Sequence, residues 1–134
     1  MSSKIYIDSC IAIYLVEEHP VYAPAVESVL SANPDFEFFV SDLTVLECLV
    51  LPLRNENELL VGKFQGWFAN TRVLGMRRAV FEEAARLRAE HSSLKTPDAL
   101  HLATCINNGC DEFWTNDNRL NNLASTLVKN IIDG

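Results

Sequence analysis

The feature that most limits what this chain can fold into is a repeated alternation of short β-branched and aromatic runs with longer stretches of helical periodicity. KIYI (Lys4–Ile7) predicts a strand, and SCIAIYLVEEH puts Ile11, Tyr14 and Leu15 on one helical face behind Ser9 as cap. A second helix is predicted after Pro20 and before Pro34, because proline is tolerated in a first turn and ends a helix further on. Residues 36–40 (FEFFV) form the next expected strand, with Ser41 capping a helix over DLTVLECLVLPLR that Pro52 ends or bends. Leu59, Leu60, Phe64, Trp67 and Phe68 recur at helical spacing, TRVLGM supplies a third short strand, and RRAVFEEAARLRAEHS is an amphipathic helix. TPDALHLATCINNG is predicted helical, with Thr96 as cap, Pro97 at the first position and Gly109 past the end. EFWT, RLNNLAS and KNIID then complete the alternation as strand, short helix and terminal strand.

Strands and helices in this order imply a three-layer α/β/α sandwich around a mostly parallel, four- to five-stranded sheet. At 134 residues, 49% apolar and with a mean hydropathy of +0.06, the chain suits one core, so residues 1–134 are expected to be a single domain. No run approaches the ~20 apolar residues of a membrane span. MSSKIYIDSC passes directly into a strand without the layout of a leader, which gives an expectation of a cytoplasmic protein. Cys10, Cys48, Cys105 and Cys110 lack CxxC spacing, and we read them as reduced core thiols rather than zinc ligands.

Right-handed crossovers would bring the strand-to-helix junctions to one edge of the sheet, where open α/β folds bind ligands. Four acids fall there. Asp8 closes the first strand, Asp98 lies in the first turn of its helix, and Asp117 sits two residues past EFWT. Glu47 is six residues beyond Ser41, and a rise of ~1.5 Å per residue keeps it within two turns of the same edge. Neither Asp98 nor Asp117 has an adjacent cation in sequence, and clustered carboxylates raise one another's pKa unless a cation joins them. An all-oxygen ligand set favours Mg²⁺ or Mn²⁺, and the reaction such a site suits is phosphodiester hydrolysis.

Each acid also has a plainer reading. Asp98 suits a helix dipole, TVLE (residues 44–47) resembles a capping box, and TNDN resembles an Asx turn. Asp42 reads as a first-turn helix acid. Asp8, abutting a buried strand, is the hardest to explain structurally.

With those acids in place the chain resembles the PIN-domain family, in particular the VapC-like toxin ribonucleases of bacterial toxin–antitoxin pairs. IYIDSCIAIYL, SDLTVLE, TPDALHLATC and FWTND are similar to its four acidic motifs and span nearly the whole chain. The resemblance implies that Asp8, Glu47, Asp98 and Asp117 hold Mg²⁺ or Mn²⁺ for endonucleolytic RNA cleavage. It marks Thr115 and Asn116, with Ser9, as supporting residues. It further implies a homodimer and a cognate antitoxin whose tail covers the acidic groove, presenting an arginine to the carboxylates.

Other features constrain that reading. A net charge of −7 excludes a broad phosphate-gripping surface, leaving metal ions and a few local cations such as Lys95 and Arg119. His101 reads as a packing or surface residue, His19 and His91 as surface, and Trp67 and Phe68 as core or dimer contact. The apolar helices around residues 12–30 and 45–54 carry more hydrophobic surface than a thin sheet needs, which suggests an interface. Two competing classes are a non-catalytic PIN-like binding module and a phosphotransfer domain with Asp8 as nucleophile. The latter needs a second acid where Cys10 stands.

Overall fold

The computed structural model describes residues 2–124 and 126–133. Its elements in chain order are β1 (Lys4–Ile7), α1 (Ser9–Val16), α2 (Tyr22–Ala32), β2 (Glu37–Ser41), α3 (Asp42–Arg54) and α4 (Glu58–Ala69). They continue with β3 (Arg72–Leu74), α5 (Arg78–Glu90), α6 (Thr96–Asn107), β4 (Glu112–Thr115), α7 (Asn118–Leu123) and β5 (Val128–Asn130). The strands form a five-stranded sheet in the order β3-β2-β1-β4-β5, and every pairing is parallel.

Because side chains alternate along a strand, β1 feeds two cores. Ile5 and Ile7 point to one face, where they join Ile11 of α1, Val26 of α2, Val40 and Trp114. Tyr6 points to the other, into a cluster with Phe39, Phe113, Val80 and Ala84 of α5, and Ala99, Leu102 and Ala103 of α6. A third cluster of Ala12, Cys48 and fully buried Phe64 fastens the α3–α4 pair against α1. The expected sandwich with its parallel sheet is therefore present, and β1 and β4, buried on both faces, are the continuous apolar runs such a position requires.

Several boundaries differ from expectation, each for a local reason. The cap of α1 is Asp8 rather than Ser9: the extended backbone ends at Asp8 (φ −67°, ψ 156°), and its carboxylate accepts the Ser9 N–H. Lys95, not Thr96, precedes α6 and makes no side-chain cap bond; Thr96 is already helical and Pro97 follows it. The capping box of α3 is formed by Ser41 and Thr44, so Glu47 takes no part in one. Pro52 lies inside α3, which continues to Arg54. The last strand spans Val128–Asn130, earlier than KNIID suggests. Gly109 does end α6, with φ +67°. Cys48, Cys105 and Cys110 are buried and Cys10 is partly buried, all as free thiols.

Parallel strands all end at one edge, and helices that return the chain must begin there. That edge therefore collects the ends of β1 and β4 and the starts of α1, α3 and α6.

Candidate active site

Asp8 stands at the centre of this edge. Its main-chain N–H bonds to the Trp114 carbonyl at 2.9 Å, which locks it beside β4. Its Oδ1 accepts the Ser9 N–H at 2.8 Å, and its Oδ2 accepts the Thr115 hydroxyl at 2.7 Å.

Ser9 and Thr115 act as struts between acids. The Ser9 hydroxyl donates to Glu47 Oε1 at 2.6 Å, so one residue joins the carboxylates of β1 and α3. Thr115 Oγ1 donates to Asp8 and accepts the Asp117 N–H at 3.0 Å, so it joins the acids following β1 and β4. Thr115 is wholly buried, and a hydroxyl that both donates and accepts there is fully satisfied.

Asp98, in the first turn of α6, is partly buried. Burial pushes its carboxyl above the usual range, and the nearby charges of Asp8 and Asp117 push it further, against opposing help from Arg119 and His101. Asp8, Asp98 and Asp117 are thus electrostatic neighbours. Glu47 is shifted the other way: burial raises it, but hydrogen bonds from His101 and Ser9 outweigh that and hold it below the usual range.

Two residues engage the acids in ways that sequence reading did not find. Arg119 grips Asp117 in bidentate fashion, Nε to Oδ1 at 3.0 Å and Nη2 to Oδ2 at 2.6 Å, and holds that carboxyl low. The cation absent from the positions flanking Asp117 is therefore supplied from two residues away. His101, only 2% exposed, is neither surface nor plain packing, since its Nε2 lies 2.5 Å from Glu47 Oε1. The i+3 spacing from Asp98, on one helical face, was the available signal for His101. Asn116, by contrast, is held by Tyr14 and Asn130 rather than by an acid.

A PIN domain model matches residues 5–125 of the sequence. The chain belongs to the PIN domain family. Its fold is similar to that of a chain in a toxin–antitoxin complex from Klebsiella pneumoniae, with 20% identity, a TM-score of 0.77, and coverage of 95% of this chain and 97% of that one. It also resembles a chain of VapBC2 from Rickettsia felis bound to a promoter DNA fragment, at 15% identity and a TM-score of 0.76 over 95% and 98% of the two chains. A third similar structure is VapC20 of Mycobacterium tuberculosis, described as a sarcin–ricin-loop-cleaving toxin, at 16% identity and a TM-score of 0.68 over 81% and 86%. No curated protein matches the sequence. At these identities the neighbours show that this PIN domain has the VapC fold.

The acids that follow β1 and β4 and those of α3 and α6 are hard oxygen donors, the chemistry that suits a divalent cation such as Mg²⁺. As the side chains stand, no three Asp, Glu, His or Cys residues among the described ones form a ready ion cage. Three of the four acids already accept hydrogen bonds within the protein, Asp8 from Ser9 and Thr115, Asp117 from Arg119, and Glu47 from Ser9 and His101. An ion entering here would take over the compensation that Arg119 now gives Asp117. No helix among the described residues is long and apolar enough to cross a membrane.

Proposed function

We propose that this PIN domain, one domain over residues 1–134, is a Mg²⁺- or Mn²⁺-dependent endoribonuclease, the toxin of a toxin–antitoxin pair. The observation that supports it most directly is geometric: Ser9 and Thr115 tie Asp8 to Glu47 and to the Asp117 main chain, and Asp98, its carboxyl raised first by burial and then by the charges of Asp8 and Asp117, belongs to the same edge. Asp8, Glu47, Asp98 and Asp117 would hold the ion. When bound, the ion supplies electrophilic activation of a phosphodiester and of the water that attacks it. The chain's own part is orientation: Ser9 and Thr115 bind both oxygens of Asp8, Ser9 also binds the Glu47 carboxylate, and Thr115 also binds the Asp117 main chain.

The acidic surface argues for a confined grip on RNA, with Arg119 and Lys95 as the cations near the acids. An antitoxin segment carrying an arginine would compete with the ion for the same carboxylates. A homodimer is supported by α3, whose Leu46, Val50 and Leu53 lie exposed on one face. A cytoplasmic setting agrees with the four free thiols.

A non-catalytic docking module is the second reading, and the bidentate Arg119–Asp117 pair favours it, because a carboxylate already neutralised needs no ion. Purified protein incubated with RNA and Mn²⁺, Mg²⁺ or chelator separates the two. Cleavage that requires metal and disappears in Asp8→Asn and Asp98→Asn supports the nuclease. Absence of both cleavage and divalent binding at millimolar metal supports the module, and equal cleavage by those variants exposes a contaminating enzyme.

A further inference from the structure

Behind the acids runs a buried polar chain through four elements. His101 of α6 lies with Nε2 at 2.5 Å from Glu47 Oε1 of α3 and Nδ1 at 2.6 Å from the Tyr6 hydroxyl of β1. Tyr6 OH in turn lies 2.8 Å from Ser41 Oγ at the end of β2. Tyr6, Ser41 and His101 are all buried.

A neutral–polar chain in an apolar core is costly unless every member is satisfied, so its persistence asks for a purpose. The proton assignments follow from the partners. Glu47 is a carboxylate and only accepts, so Nε2 carries the hydrogen. Tyr6 OH lies within hydrogen-bond distance of both Nδ1 and Ser41 Oγ, and Ser41 Oγ also accepts the Thr44 N–H in its capping box. Burial keeps that phenol protonated. The imidazole is then held at both nitrogens, with its ring tilted against that of Tyr6 (centroids 5.7 Å apart).

At Glu47, both hydrogen bonds fall on the same oxygen. Ser9 Oγ and His101 Nε2 each reach Oε1, which leaves Oε2 without a hydrogen bond among the described residues. Metal-binding carboxylates are commonly held in this way by outer partners that fix which oxygen is offered to the ion. We propose that His101, locked by Tyr6 and Ser41, is a positioning residue that immobilises Glu47 through Oε1 and leaves Oε2 as its metal-binding atom. This inference rests on the metal-dependent reading of the site.

The test uses the full chain and Mn²⁺ alone as probe, with free Mn²⁺ followed by electron paramagnetic resonance. His101→Leu deletes the donor and is expected to weaken Mn²⁺ binding by about 10- to 100-fold. His101→Gln retains an amide N–H for Glu47 and should recover most of that loss, which a merely packing role would not predict. Tyr6→Phe removes only the phenol oxygen, and it should weaken binding less than His101→Leu and shift the imidazole Nδ1 ¹⁵N signal while Glu47 keeps the hydrogen on Nε2. Thermal melts identify any variant that does not fold, and Tyr6→Phe carries the test where His101→Leu fails. Equal Mn²⁺ affinity in His101→Leu and the unaltered protein, or equal loss in His101→Gln and His101→Leu, would overturn the proposal alone. Failure of the unaltered protein to bind Mn²⁺ would overturn the nuclease reading and this inference together.

Discussion

Arg119 holds both oxygens of Asp117, two residues before it, at 3.0 and 2.6 Å. The guanidinium is 70% exposed, so the pair is screened by solvent and yields readily to a competing charge. Arg119→Gln is expected to let the Asp117 carboxyl return toward its usual range and to tighten Mn²⁺ binding several-fold, with little change in thermal stability. Isothermal titration with Mn²⁺ reads the affinity; an unchanged value would mean that the arginine does not compete for the site.

Asp98→Asn separates chemistry from stability. A carboxyl raised in the folded state binds its proton more tightly there than in the unfolded chain. Its contribution therefore opposes folding at neutral pH, and stability recovers as pH falls from the raised value toward the ordinary Asp range near ~4. Removing the charge should leave the protein at least as stable at pH 7 and flatten that part of the stability–pH curve in chemical denaturation, while RNA cleavage falls by at least about 100-fold, the upper end of what losing a mere supporting partner costs. Asp117, held low by Arg119, contributes with the opposite sign, stabilising above the ordinary range and losing that as pH falls through its depressed value.

Thr115 links two acids with a single hydroxyl. Thr115→Val keeps the shape but strips Asp8 of a donor and the Asp117 N–H of an acceptor, at a cost of about 1–3 kcal/mol. Thr115→Ser should restore both bonds. Urea unfolding measures the loss, and a stable, fully active valine variant would show that the strut is dispensable.

The exposed face of α3 supplies a fourth expectation. Leu46, Val50 and Leu53 are 59%, 42% and 58% exposed and recur at helical spacing. If they meet a second copy, Val50→Glu with Leu53→Glu should halve the mass measured by light scattering and leave the folded state intact. A chain already monomeric before substitution would remove the homodimer from the proposed function.

The sheet was readable from sequence because parallel strands buried on both sides have no polar alternation, as in Ile5–Ile7 of KIYI and Phe113–Trp114 of EFWT. Asp8 was readable because it ends such a run. The shift of the α1 cap from Ser9 to Asp8 was not, since both residue types cap well and only the backbone dihedral at the junction decides. Arg119 was hidden because its partner depends on where a single-turn helix starts after Asp117. His101 was hidden for a different reason: its i+3 spacing from Asp98 hints at the same edge, but its partners come from β1 and α3, elements 95 and 54 positions away.

Asp8 and Thr115 are separated by 107 positions yet meet across the paired strands β1 and β4. Such distant pairings form late, because the entropy of closing the intervening loop must be met before any contact returns it. A nascent polypeptide that has not yet emitted β4 therefore has Asp8, Glu47 and Asp98, with Ser9 and His101 to hold Glu47, but lacks Thr115 and Asp117. The bonds that Thr115 makes to Asp8 and to the Asp117 N–H are therefore denied to any copy that ends before β4.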